Sequence, residues 1–245
     1  MTIESTTQYA HLSENFSTPQ IPVFFLKQKM IAMLTFLPLI SFSSICTNRT
    51  FSLMLDPAGD AQHSGRMIHN MCERGITLQC AEKIKKKIEE ENGSVRVILT
   101  RFPGEIIEPL QNAHFANRLD IDLYISIHFY QETETKPKMH IYYVNYNDQF
   151  ITKTYDFCFY PYDQAHRIHN TQTKYIIQQC NQSFKDKKFA RLYDYKGVFG
   201  LPIKPLIGIK APAFMIEMSI KDEDGWQQYI EPICFTLSKI IQSYE

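Results

Sequence analysis

Apolar residues in this chain fall into short runs separated by polar, Gly- or Pro-containing breaks, with longer stretches of helical period between them. Phe51 to Leu55 reads as a buried strand, broken by Asp56-Pro57 and a loop that contains Gly59 and Gly65. Thr77 to Glu91 has the period of a helix. Cys80 or Ala81, Ile84 and Ile88 form its inward stripe, Lys85 to Lys87 and Glu89 to Glu91 its solvated side, and Asn92-Gly93 its stop. Val95 to Thr100 is a second strand, and Pro109 to Arg118 a short helix opened by its proline. Leu123 to Ile127 and His140 to Val144 are further strands, while the aromatic, irregular stretch from Asn145 to Tyr162 reads as a loop. Ala165 to Phe184 is helical in pattern, Lys187 to Lys210 reads as loops with a short strand, and Ala213 to Ile216 is a strand. Trp226 to Ser243 is a closing amphipathic helix. Strands alternating with helices predict an α/β, three-layer fold: a mostly parallel, twisted sheet with helices on both faces.

The 245 residues suffice for one substantial domain with a full core. A net charge of zero gives no electrostatic footprint for nucleic acid. The six cysteines have neither CxxC nor zinc-finger spacing and read as small buried hydrophobes. The first 46 residues differ from the rest. A polar, Ser- and Thr-rich lead is followed by Lys27 and Lys29, the apolar run Met30 to Ile40, and the small or apolar residues Ser41 to Cys46. That order is a basic region, an apolar region of signal-peptide length and a cleavage zone. It predicts export to the periplasm or cell envelope, with a folded domain over residues 47–245. Membrane contact is then limited to this segment if it is not cleaved.

Chemistry concentrates where apolar runs stop. Leu55-Asp56, Ile127-His128 and Ile216-Glu217 each end a strand on an ionisable residue, and Glu73 stands alone near the start of the first helix. An unpaired ionisable group beside a buried strand is costly. Such groups therefore collect at the carboxyl edge of α/β sheets, where ligands and metals bind. The set offers oxygen and imidazole donors without a thiolate, which suits a catalytic zinc with an open position and a nearby carboxylate as base.

The order of these blocks resembles a known family. Leu55-Asp56-Pro57-Ala58-Gly59 is followed by Glu73, then Leu99-Thr100-Arg101, Ala116-Asn117, Asp122 to His128, and Pro212 to Met218. From about Phe51 to Tyr244 the chain resembles the zinc-dependent N-acetylmuramoyl-L-alanine amidases. The resemblance implies a peptidoglycan hydrolase that uses Zn2+, with Glu73 and His128 as metal ligands and Glu217 as the catalytic carboxylate. It also implies Arg101 and Asn117 as candidate substrate-binding residues. The family's first ligand, a histidine, falls on Gly59. His63 is the favoured replacement, because neutral imidazole suits zinc and the Gly59–Gly65 loop can bend to present it. Asp60 is next and His69 the third choice. Two other departures are Phe129-Tyr130 after the strand histidine and Asn112 in place of an arginine. The aromatic residues around Tyr142 to Tyr162 read either as a wall facing glycan or peptide, or as loop packing. Two rival functions remain: a zinc-deficient relative that binds peptidoglycan without cutting it, and a zinc peptidase acting on another amide.

Overall fold

A computed structural model describes residues 50–108, 110–134, 136–145 and 161–244. Residues 1–46, where the sequence predicts an export signal, and most of the aromatic stretch after Asn145 lie outside the described residues. No described helix is long and apolar enough to cross a membrane.

The core is a six-stranded sheet. Its strands are β1 (Phe51–Pro57), β4 (Val95–Leu99), β5 (Leu123–Gln131), β6 (Lys138–Tyr143), β7 (Asp194–Gly200) and β8 (Ala213–Ile220), in the spatial order β4-β1-β5-β8-β6-β7. A two-stranded ribbon, β2 (Met67–Ile68) with β3 (Met71–Cys72), stands apart from it. Ladders β4–β1, β1–β5, β5–β8 and β6–β7 are parallel, and β6 runs antiparallel to β8. The helices are α1 (Glu73–Glu91), α2 (Gln111–Leu119), α3 (Asn170–Phe184) and α4 (Ile230–Gln242). The expected α/β architecture with a mostly parallel sheet is the one observed.

Side chains alternate across the pleat, so each strand feeds two cores. Leu53 and Leu55 of β1, Leu123 to Phe129 at every second position of β5, and Phe214 to Ile220 at every second position of β8 pack with Ile84 and Ile88 of α1, Ile176 of α3 and Leu237 of α4. On the other face Met54, Tyr124, Ala213 and Met215 pack with Ala113 and Ala116 of α2 and with Leu206 and Ile209. That second core stops short. Further along the same face the alternate positions are Asp56, then Ser126, His128 and Tyr130, then Glu217 and Ser219, with His140 and Tyr142 on β6. The fold therefore exchanges an apolar face for a polar and aromatic floor.

Several elements differ from the sequence reading for identifiable reasons. β5 and β8 continue past His128 and Glu217, which are paired residues inside the strands and not strand ends. The polar floor positions interrupt the apolar runs and mimic a stop. Helix α1 begins at Glu73, four residues before the expected start, because Arg74 and Gly75 hide its first turn. The expected helix from Ala165 is a 3-10 turn (Tyr162–Arg167) followed by α3, and the closing helix is likewise a 3-10 turn (Gly225–Tyr229) followed by α4. Part of the charged face of α1 is not simply solvated. Glu89 Oε1 accepts the outward N–H of Val97 at 2.9 Å and Lys85 Nζ reaches the Val97 carbonyl, so this pair caps the edge strand β4. Cys80, Cys180 and Cys234 are buried thiols, as expected, and burial pushes Cys234 up to about 12.

Candidate active site

Adjacent strands place His128, Glu217 and His140 in one row across β5, β8 and β6. Glu73 reaches this row from the first residue of α1, where the helix N-terminus favours a carboxylate. Its Oε1 accepts the Phe129 N–H at 3.1 Å and lies 3.3 Å from His128 Nδ1. Its Oε2 accepts the Arg66 N–H at 3.0 Å. Gly65 permits this approach: with φ +76°, a Cβ there would stand 2.7 Å from Glu73 Oε2. Burial favours the neutral form of Glu73, but the N–H groups of Arg66 and Phe129, and His128 when a proton lies between the two, outweigh it and hold the carboxyl below its ordinary value.

His128 is oriented from behind. Asp56 Oδ1 accepts from Thr100 Oγ1 and Asn112 Nδ2, both at 2.8 Å, and Oδ2 accepts from Ser126 Oγ at 2.8 Å. Ser126 Oγ lies 3.2 Å from His128 Nε2. A hydroxyl has one proton, and Ser126 gives its proton to Asp56. Nε2 is therefore the N–H donor to Ser126, and in the tautomer that carries its proton on Nε2 the lone pair of Nδ1 turns toward Glu73. Two acceptors 3.3 Å apart repel unless a cation lies between them, either a proton or a metal. A tetrahedral ion with metal–ligand bonds of about 2.0–2.1 Å has donors about 3.3–3.4 Å apart, which matches the pair. The hydrogen bond from Nε2 to Ser126 is also the kind that metal-bound histidines usually make with their other ring nitrogen.

Two donors thus fit a metal, and the third is missing from the assembled group. Among the described residues, no set of three or more His, Cys, Asp or Glu residues converges on one ion. His63 lines the same cleft as His128, about 380 Å³ in volume. Its side chain is 73% exposed and leans 3.4 Å from Asp60 Oδ2. The cause is local: Asp60 Oδ1 accepts the N–H groups of Gln62 and His63 at 2.7 and 2.6 Å, and this turn directs the imidazole outward. Asp60 is itself 93% buried and also accepts the Ile107 N–H, which leaves its carboxylate serving as the loop's anchor. His69 lies elsewhere, with Nε2 on the Lys221 carbonyl.

Gly59, where the resemblance places a histidine, has φ +78°, and a Cβ there would lie 2.8 Å from Arg74 Cβ and 3.0 Å from the His63 carbonyl. The backbone has adapted to glycine. Gly59→His is accordingly expected to destabilise the fold by about 2–4 kcal/mol without tightening zinc binding. Denaturant unfolding and chelator competition measure the two effects.

Glu217 is held by two groups that the sequence reading did not single out. Arg66 Nη1 lies 2.7 Å from Oε1, and Tyr142 Oη donates to Oε2 at 3.1 Å. Arg66 also reaches the Phe129 carbonyl at 3.4 Å and stands over the Tyr130 ring. The period-2 spacing of His140 and Tyr142 was the signal available for the tyrosine. Nothing in the sequence around Arg66 indicates its partner, 151 positions away. Burial, only partly offset by Glu217, lowers His140, so its ring is neutral at pH 7.

The two candidate substrate-binding residues have other occupations in this structure. Arg101 is buried and donates to the carbonyls of Pro57, Ala58 and Arg74 at 2.9–3.0 Å, tying the site loop to α1. Asn117 donates to the Gly208 carbonyl and accepts from the Lys210 N–H, joining α2 to the segment before β8. Asp56, grouped with the strand-end ligands in the sequence, orients His128 through Ser126.

A family model described as N-acetylmuramoyl-L-alanine amidase (Amidase_3) matches residues 53–230, which span every residue of this site. Comparison with the curated proteins finds no match. Among solved structures, the chain is similar to the catalytic domain of CwlV, an N-acetylmuramoyl-L-alanine amidase from Bacillus (Paenibacillus) polymyxa var. colistinus. The TM-score is 0.58 at 17% identity, covering 78% of this chain and 98% of that one. It is also similar to the N-acetylmuramoyl-L-alanine amidase of Clostridium difficile 630, with TM-score 0.55, 18% identity, and 80% and 100% coverage. Ami1 of Mycobacterium smegmatis gives TM-score 0.54, 15% identity, and 79% and 97% coverage. Identities this low establish a shared fold, and the family rests on the sequence model that spans the site. The chain belongs to the N-acetylmuramoyl-L-alanine amidase family.

Proposed function

We propose that this chain hydrolyses the amide between the lactyl group of N-acetylmuramic acid and L-alanine in peptidoglycan, with Zn2+ anchored by Glu73 and His128. The observation that carries the reading is the pair of facing acceptors, Glu73 Oε1 and His128 Nδ1, at 3.3 Å with His128 oriented from behind by Ser126 and Asp56. When bound, zinc supplies Lewis acidity and brings the pKa of a coordinated water toward 7.

The chain's own residues provide the rest. Glu217, paired in register with His128 on the neighbouring strand, takes the proton of the attacking water and returns it to the departing amine. Arg66 and Tyr142 hold the two oxygens of Glu217 and so fix the direction of its lone pairs. Asp56 and Ser126 keep His128 in the tautomer that leaves Nδ1 available. His63 completes the metal shell: it is on the rim of the same cleft, exposed, and fixed by a single long contact to Asp60. Reaching the pair takes a movement of the loop over residues 58–66.

Peptidoglycan as substrate places the working protein in the cell envelope, in keeping with the basic and apolar leader of residues 27–46. The test is product analysis. Purified peptidoglycan incubated with the zinc-loaded protein is expected to yield stem peptides with a free L-alanine amino terminus and glycan strands with free lactyl carboxylates. Glycan strands left fully substituted would support the binding-only rival, and cleavage elsewhere in the stem would support the peptidase rival.

A further inference from the structure

The sheet floor beyond Glu217 has a second feature, of which amide hydrolysis uses only the Tyr142 hydroxyl. His140 and Tyr142 on β6, Phe199 on β7 and Tyr130 on β5 form a row of rings. Centroids are 6.0 Å apart for His140–Tyr142, 5.6 Å for Tyr142–Phe199, 5.9 Å for His140–Phe199 and 6.4 Å for Tyr130–His140. The row begins at the catalytic carboxylate, since Tyr142 Oη donates to Glu217. It ends at Phe199, which is 41% exposed. Opposite His140 on β7 is Gly197, with φ +110°, where an added Cβ would meet no atom within 4 Å. Among the described residues, the space at Gly197 is open. A packing cluster would be expected to close over its outermost ring, whereas Phe199 stays 41% exposed.

We infer that this row is a carbohydrate platform, the seat of a pyranose ring of the glycan strand. The inference rests on the hydrolytic reading only for the position of the scissile amide. In the muramyl unit just an ether oxygen and one carbon separate the sugar ring from the reacting carbonyl. With that carbonyl between the Glu73–His128 pair and Glu217, the ring must lie within a side chain's reach of Glu217. Tyr142 and its neighbours are the aromatic surface there. The apolar C–H face of a pyranose packs on an aromatic ring as other apolar surfaces do, and burial keeps the His140 ring in its uncharged form. The stem peptide carries carboxylates, and the cation over the Tyr130 ring, Arg66, is already paired with Glu217.

The test uses the full chain and two probes. One is a peptide-free N-acetylglucosamine–N-acetylmuramic acid disaccharide, the other a sugar-free peptide that begins with L-alanine. Titration followed by NMR is expected to show disaccharide binding that weakens about three- to tenfold in Phe199→Ala and is retained in Phe199→Tyr. Tyr142→Phe keeps the ring and is also expected to retain disaccharide binding. Peptide binding is expected to be unchanged by Phe199→Ala, and KM for glycan-linked substrate to rise by the same factor as the disaccharide Kd. Absence of disaccharide binding, or weakening of the peptide and not the disaccharide by Phe199→Ala, overturns the platform. If the wild type binds the disaccharide through Phe199 and cuts no amide, the platform stands and the hydrolytic reading fails.

Discussion

Glu217→Gln is expected to lower amide hydrolysis by about a hundred- to ten-thousandfold while the protein keeps its full complement of zinc. The amide retains the shape of the carboxylate and an oxygen for Arg66 or Tyr142, but it cannot accept a proton from water and return it to a leaving amine. Glu217 lies beside His128 on the adjacent strand, and its two oxygens are engaged by Arg66 and Tyr142. Turnover on muropeptide and metal content of the same preparation, measured together, decide the role. Loss of zinc in step with activity would make Glu217 a ligand, and retained activity would move the proton transfer to another group.

Losing either anchor is expected to have the converse signature. His128→Ala and Glu73→Ala each remove one of the two facing donors, and zinc affinity is expected to fall about a hundredfold or more in both. Ser126→Ala leaves both donors in place but frees the imidazole to rotate and change tautomer. Its expected loss is smaller, about ten- to a hundredfold. The ranking follows from geometry, because Ser126 reaches the metal position only through His128. Glu73→Ala carries a further penalty that His128→Ala does not. It leaves the N–H groups of Arg66 and Phe129 without their acceptor, at a cost of about 1–3 kcal/mol each. Chelator competition gives the affinities, and unfolding of the metal-free variants separates the stability term. Equal metal affinity in wild type and His128→Ala would remove the pair from the metal site.

The sheet was readable in the sequence because each buried strand is a short apolar run, and α1 because Ile84 and Ile88 repeat at helical spacing. Glu73, His128 and Glu217 were readable as candidates because a lone ionisable residue stands out against such runs. Their true setting was not, since a floor position inside a long strand and a strand end look alike when only one face is apolar. His128 and Glu217 owe their adjacency to the β5–β8 register, which depends on residues far apart in the chain. Arg66 was missed for a related reason: its role exists only once the loop at Gly65 closes on Glu73 and brings the guanidinium over β8. The third donor was the hardest to place. Gly59, His63 and Asp60 fall within five positions of one another, and backbone turns of a few residues decide which side chain faces the cleft. The Asp60 turn gives that decision against His63.

The claim on which the rest depends is that Glu73 and His128 together anchor the ion. A crystal structure of the zinc-loaded protein, with anomalous scattering recorded at the zinc edge, tests it most directly. The account predicts a single peak between Glu73 Oε1 and His128 Nδ1, at about 2.0–2.2 Å from each, with the His63 imidazole turned in from the loop as third donor. A peak bound by other residues, with Glu73 and His128 still facing each other across an empty gap, would contradict it.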